Sequence, residues 1–154
     1  MKLVIQRVKR GSVTVDGEIV GRIGKGVVVL VGIHRDDKDD DLKWTVKKLL
    51  NFCYWDGTDE RPWRAGIKEA DAEVLLVSQF TLYGRYGNGR RPDFSHAMAP
   101  ENAEPMFNAF VERVKLEYIP ERVQTGKFGA MMDVELVNDG PVTFIFDSFQ
   151  RRDK

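Results

Sequence analysis

Apolar and polar residues alternate along "KLVIQRV", Lys2 to Val8, and again along "SVTV", Ser12 to Val15, the period of strands with one buried face. Asp16-Gly17 then carries the chemistry of a two-residue hairpin loop, "EIVGRI" returns, and "GKG" leads into "VVVLVGI". The unbroken apolar run of that last segment predicts a strand covered on both faces. At Asp39 the period changes. "DDDLKWTVKKLLNF" sets Leu42, Val46 and Leu49 on one helical face, with aspartates in the first turn and lysines later, as the helix dipole prefers.

"YWDGTDERPWRAG" is turn-rich and irregular, whereas "AEVLLVSQFTLY" is the most strand-like stretch of the chain, apolar at its start and polar at Ser78, Gln79 and Thr81 near its end. "GRYGNGRRPDF" reads as a flexible glycine-rich loop. "APENAEPMFNAFVERVKLEYI" reads as a second helix opened by Pro100, with Phe107, Phe110, Val111, Val114 and Tyr118 on its apolar face. Two final strands, "MMDVELV" and "TFIFDS", flank "NDGPVT", Asn138 to Thr143. Asp-Gly there has turn chemistry, but the proline removes a backbone donor where the second strand should begin pairing. It also makes Gly140-Pro141 a bond whose cis form costs only about 0.5 to 1 kcal/mol.

Strands outnumber helices and do not alternate with them regularly, which excludes a doubly wound fold. The pattern predicts a single α+β domain over residues 1–148, an antiparallel-rich, curved, barrel-like sheet with two main helices packed on it. A charged tail over 149–154 is expected to fray.

With 154 residues the chain suits one domain. Its 24 basic and 24 acidic residues leave no net charge to draw a polyanion, so any nucleic-acid contact must come from a local patch. The single cysteine, Cys53, excludes an internal disulfide and is read as a buried structural thiol in "LLNFCYW". The start of the chain lacks the apolar core of a signal peptide, and no window has the apolar length of a membrane span, so the expected setting is cytoplasmic, with no membrane partner.

Candidate chemistry is sparse. The histidines, His34 and His96, have no carboxylate or second histidine at ligand spacing, so neither a metal nor a cofactor is expected. "GRYGNG" lacks the third glycine in register for a dinucleotide loop and opens no helix. No G-x-S-x-G elbow is present. What remains is "SQFT", Ser78 to Thr81, where open backbone N–H groups at a strand end could hold an oxyanion; neither hydroxyl has an evident general base nearby in sequence. The loop after it adds Arg85, Arg90 and Arg91 with Tyr83 and Tyr86. This mixture reads either as a solvated loop or as a grip for phosphates and unpaired bases.

"QRV" near the start, "SQFTL", "RRPDF", "TGKFGA" and "NDGPVT", in this order over essentially the whole chain, resemble the D-aminoacyl-tRNA deacylases, also called D-tyrosyl-tRNA deacylases. The resemblance implies a homodimer that hydrolyses the ester between a D-amino acid, or glycine, and the terminal adenosine of tRNA. Ser78, Gln79 and Phe80 would then line the pocket for the aminoacylated 3′ end. Gly140 and Pro141, joined by a cis bond in that family, would reach into the partner's pocket and leave no room for an L side chain. Arg7 would support the motif, and Phe128 and Met132 would form the adenosine-side wall. Thr81 matches a threonine once proposed as nucleophile; the competing view, in which the tRNA 2′-OH assists a water, is favoured because no base can be assigned to Thr81. The alternatives are a noncatalytic binder of tRNA ends, a related deacylase acting on L-aminoacyl-tRNA with the bond trans, and a structural dimerisation module. "ERPWRAGIKEADAE", Glu60 to Glu73, departs from the asparagine-containing run of many bacterial members, and no site residue is drawn from it.

Overall fold

The computed structural model of the protein describes residues 1–152. Six strands and two main helices follow one another as β1 (Lys2–Val15), β2 (Glu18–Ile23), β3 (Gly26–Gly32), α1 (Asp39–Asn51), β4 (Glu73–Ser78), α2 (Pro100–Glu117), β5 (Val123–Thr125) and β6 (Asp133–Asp147). The two alternating runs at the start are one strand. Lys9 and Arg10 interrupt the pattern with exposed side chains, yet β1 pairs with β6 from Lys2 to Thr14, with Lys9 as an extra residue between Val8↔Asn138 and Arg10↔Val137.

The other edge of β1 is shared. Lys2 to Val8 pair with β3, and Gly11 to Val15 pair with β2 through the Asp16-Gly17 turn, where both residues have positive φ. β4 and β5 continue the sheet in parallel, so the sheet is mixed: antiparallel around β1 and parallel beyond β3. Its far end curls back until β2 lies against β5. A Cβ on Gly21 would stand 2.4 Å from the Thr125 carbonyl oxygen, so only glycine permits this approach, which nearly closes a barrel.

Closure splits the core in two. Val27, Val29 and Val31 of β3 face the helices, together with Leu3, Ile5, Val74 and Leu76, while Val28 turns inward to meet Val8, Val13, Ile23 and Leu75 inside the barrel. Leu42, Val46 and Leu49 of α1 and Phe107, Phe110, Val111 and Val114 of α2 are buried on the outer layer. The helix α1 opens with the Asp41 carboxylate accepting the Lys38 N–H at 2.9 Å, an N-terminal arrangement suited to the dipole. Pro105 lies on the exposed face of α2, where the carbonyl it leaves unpaired meets water and the helix continues.

Three local expectations are corrected by tertiary contacts. "SQFTLY" does not extend β4, which ends at Ser78, and Phe80–Tyr83 form a 3-10 turn. Cys53 is half-buried rather than enclosed. Residues 149–152 of the tail expected to fray belong to a 3-10 turn, Ser148–Arg152, in which Arg151 donates to the Asp40 carbonyl at 2.9 Å and pairs with Asp41 at 3.4 Å. Asp153 and Lys154 of the charged tail lie outside the described residues. Beside this turn the Met1 ammonium is buried against Asp37 Oδ1 at 2.5 Å and Ser148 Oγ at 2.7 Å, which fixes the beginning of β1. Among the described residues no helix is long and apolar enough to cross a membrane.

Candidate active site

β4 is apolar from Val74 to Val77 and delivers Ser78 to the end of the sheet, where the Gln79 N–H adds one last bond to the Val31 carbonyl at 2.8 Å. The chain then turns sharply. Leu82 packs against Gly32, and Gly84 N–H closes the turn on the Thr81 carbonyl at 2.9 Å. Phe80 and Thr81 begin this turn, and their N–H groups donate to no backbone carbonyl among the described residues. Such paired, fixed donors at the start of a helical turn can receive a developing oxyanion.

The Thr81 hydroxyl accepts a hydrogen bond from Gln79 Nε2 at 2.5 Å, its one side-chain partner among the described residues. An amide cannot take a proton from an alcohol, so this arrangement orients Thr81 without activating it. Thr81 and Leu82 line an open cleft of about 470 Å³ with Lys2, Tyr86, Ile145 and Asp147. Ser78 and Gln79 are half-buried beside it; Phe80 is 57% exposed and packs edge-to-face on Phe94 at 4.9 Å. Below the turn, Tyr83 is buried with its hydroxyl unpartnered, and burial drives that hydroxyl's pKa up, out of the range of an acid or base at neutral pH.

The second motif is not a hairpin. Gln6 pairs with Thr143 and Val8 with Asn138, so both halves of β6 run along the same strand in the same direction, and Asp139 to Val142 loop out opposite Arg7 alone. Arg7 anchors this excursion. Its Nε donates to the Asp139 carbonyl at 3.2 Å and lies 3.3 Å from the Asp139 carboxylate, while Nη1 donates to the Tyr54 carbonyl at 2.7 Å. Asn138 Nδ2 spans the base, donating to the Arg7 carbonyl at 2.9 Å and the Val142 carbonyl at 3.0 Å. Gly140, at φ 128°, and Pro141, joined to it by a cis bond, stand exposed at the tip.

Within one chain the two motifs do not meet. Arg7 is level with Val74, four residues along β4 from Ser78, and β6 lies three strand spacings from β4, so Gly140-Pro141 and Ser78 are about 20 Å apart along the sheet. Phe128 packs on Phe107 of α2 with ring centroids 5.9 Å apart, and Met132 joins the barrel cluster; neither lines the Thr81 cleft. They leave β5 alongside the end of β4, where Gly126 N–H binds the Leu76 carbonyl at 3.2 Å.

The histidines, distant in sequence, come together with ring centroids 5.5 Å apart. Burial lowers the His34 pKa, and its Nδ1 accepts the Asp36 N–H at 3.0 Å, so it serves the loop rather than the cleft. Among the described residues no group of three His, Cys, Asp or Glu side chains is arranged to hold a metal. Sequence reasoning did not single out Asn138 and Asp139 as supports, nor Lys2 and Ile145 as cleft residues. Asn138 and Asp139 carried a signal, as polar residues in a turn, but their partner is set by the pairing of distant strands.

These features define an α+β near-barrel whose candidate chemistry rests on main-chain groups at a strand end and on a buttressed Gly-Pro excursion. Residues 4–147 match a family model described as D-Tyr-tRNA(Tyr) deacylase. The chain is 49% identical over 152 residues to D-aminoacyl-tRNA deacylase 1 of Leishmania major, covering 98% of this chain and 99% of the relative. It is 43% identical over 152 residues to the D-aminoacyl-tRNA deacylase of Dictyostelium discoideum, covering 98% and 100%. Among solved structures it resembles the c-Myc DNA unwinding element binding protein, with a TM-score of 0.91, 43% identity and coverage of 96% and 98% of the two chains. It shares the fold of a structure described as a probable eukaryotic D-amino acid tRNA deacylase, with a TM-score of 0.81 at 21% identity and coverage of 94% and 97%. The chain belongs to the D-Tyr-tRNA(Tyr) deacylase family.

Proposed function

We propose that this protein hydrolyses the ester linking a D-amino acid, or glycine, to the terminal adenosine of tRNA, as a homodimer in which each chain's Gly140-Pro141 tip enters its partner's Ser78–Thr81 pocket. The observation that carries this reading is the separation of the two motifs. An excursion braced by Arg7 and Asn138 and presented to solvent has no work to do in its own chain, and the cleft beside Thr81 leaves Tyr86 and Ile145 exposed, the latter at 65%. Among the described residues β6 pairs with β1 alone and leaves a long free edge, a feature that soluble proteins cover or charge. A second copy satisfies both.

Chemically, the ester carbonyl sits over the Phe80 and Thr81 N–H groups, which hold the oxyanion as water adds. The 2′-OH of the substrate's own adenosine assists that water, since Thr81 has no base. Main-chain atoms of the partner's Gly140-Pro141 lie where an L side chain would project, so handedness is read at the α-carbon without contact to the D side chain, and one pocket serves many D-amino acids. The adenosine side is assigned to Phe128 and Met132, which follow β5 and lie off the Thr81 cleft itself, so the adenosine extends past the cleft toward the end of β5. The reaction belongs to the cytoplasm, where tRNA is charged.

Release of free amino acid from D-Tyr-tRNA tests this reading directly. Thr81→Ala is expected to keep most of the turnover, far from the roughly million-fold loss that removal of a nucleophile brings. Abolished turnover with tRNA binding intact would make Thr81 the nucleophile instead.

A further inference from the structure

The loop from Gly84 to Phe94 leaves the Thr81 turn, is closed at its own base, and is tied back to the turn at two points. Arg85 and Asp93 exchange backbone hydrogen bonds at 2.8 and 2.9 Å, Phe94 packs on Phe80, and the Tyr86 hydroxyl lies 3.4 Å from the Thr81 carbonyl. The loop therefore moves with the site, and its charges are unequally engaged. Arg85, although exposed, is engaged locally, with Nη1 3.5 Å from His96 Nε2. Asp93, the loop's single carboxylate, accepts the Ser95 N–H at 2.8 Å. Arg90 and Arg91 remain exposed and form no ion pair among the described residues, unlike Arg61, Arg113 and Arg122, which each hold a carboxylate. Tyr86 lines the cleft with its ring 71% exposed.

We propose that this loop is the contact for the single-stranded 3′ end of tRNA just upstream of the esterified adenosine, with Arg90 and Arg91 on its phosphates and Tyr86 offering a ring face to an unpaired base. The proposal deepens the deacylase reading and rests on it for the position of the adenosine. Overall charge is balanced, so affinity for a polyanion needs a local source, and two unpaired guanidinium groups on the loop that borders the cleft through Tyr86 supply one. A largely exposed ring at the cleft wall, held at its hydroxyl end, suits an unstacked base, whose face is open, and not a duplex, whose base faces are covered.

The test compares two substrates that share the ester but not the polynucleotide: D-Tyr-tRNA, and adenosine carrying the same D-tyrosyl ester. For the R90A/R91A double variant, the ratio of kcat/KM on tRNA to kcat/KM on the adenosine ester is expected to fall about tenfold or more, carried by KM, and R90K/R91K is expected to recover much of it. An unchanged ratio would overturn the proposal. A second arm needs no turnover: binding of a tRNA bearing a 3′-amide-linked D-tyrosine is followed against salt. Loss of two phosphate contacts to a single strand should reduce the slope of log K against log salt by about 1.4, whereas an equal slope would count against the assignment. If the wild-type protein cleaves neither ester, the deacylase reading fails on its own, and the binding arm still decides the role of the loop.

Discussion

Gly140→Ala is expected to lower kcat/KM on D-Tyr-tRNA by about 100-fold, the loss that a displacement of about 1 Å at a reacting centre brings. Two features of the residue lead to that figure. Its φ of 128° lies where side chains are rarely accommodated, and an added Cβ would stand 2.7 Å from Val142 Cγ2, 3.0 Å from the Val142 nitrogen and 3.3 Å from Arg7 Nη2. Relief comes by rotating the tip or by pushing Arg7 from the Asp139 and Tyr54 carbonyls, and either movement shifts the atoms that the proposed reading sets against the α-carbon. Strain of about 1 to 3 kcal/mol in an excursion outside both cores should lower Tm by only about 2 to 12 °C, so circular dichroism will report a folded protein. Steady-state kinetics on the folded variant checks the expectation; a rate within twofold of wild type would place Gly140 away from the reacting ester.

Mixing two inactive variants is expected to restore activity. Phe80→Pro removes one of the two N–H donors at the start of the 3-10 turn, a change that costs about 10² to 10³ in turnover where such a donor holds an oxyanion. Gly140→Ala damages the other motif. In a mixed dimer with pockets built from both chains, one pocket carries both defects and the other carries neither. Random exchange makes about half of the dimers mixed, so about one quarter of wild-type activity should appear, well above the level of either variant alone. Pockets complete within one chain would yield no recovery. Co-refolding the two variants and assaying D-Tyr-tRNA hydrolysis against their molar ratio is the measurement, with a maximum expected at equal amounts.

The parts of the fold that were legible in the sequence are those fixed by local periodicity. Leu42, Val46 and Leu49 mark α1, and the Asp16-Gly17 pair marks the hairpin, because each is decided by residues within a few positions. "SQFTLY" misled because its residues favour extended backbone, while the packing of Leu82 against Gly32 at the end of β3 bends the chain into a 3-10 turn. "NDGPVT" misled more instructively. Asp-Gly before a proline satisfies turn chemistry, but a hairpin and a bulge differ in where the two flanking segments pair, and here both pair with β1, more than a hundred residues away in sequence. The polar end of β4 marks the candidate site in the sequence, and the resemblance implies roles for Arg7 and Gly140-Pro141. The clasp formed by Asn138 and the tether from Arg7 to the Tyr54 carbonyl depend on three separate segments meeting.

The central claim is that main-chain atoms held at Gly140-Pro141 exclude one hand of the amino acid while protein N–H groups and the substrate's own ribose carry out hydrolysis. Deacylation of D-Tyr-tRNA, Gly-tRNA and L-Tyr-tRNA, followed side by side at equal enzyme, tests it most directly. The account predicts fast release of D-tyrosine, measurable release of glycine, which has no side chain on either side of its α-carbon, and a D over L preference on the order of a thousandfold or more. Hydrolysis of L-Tyr-tRNA at a rate near that of the D-ester would contradict it.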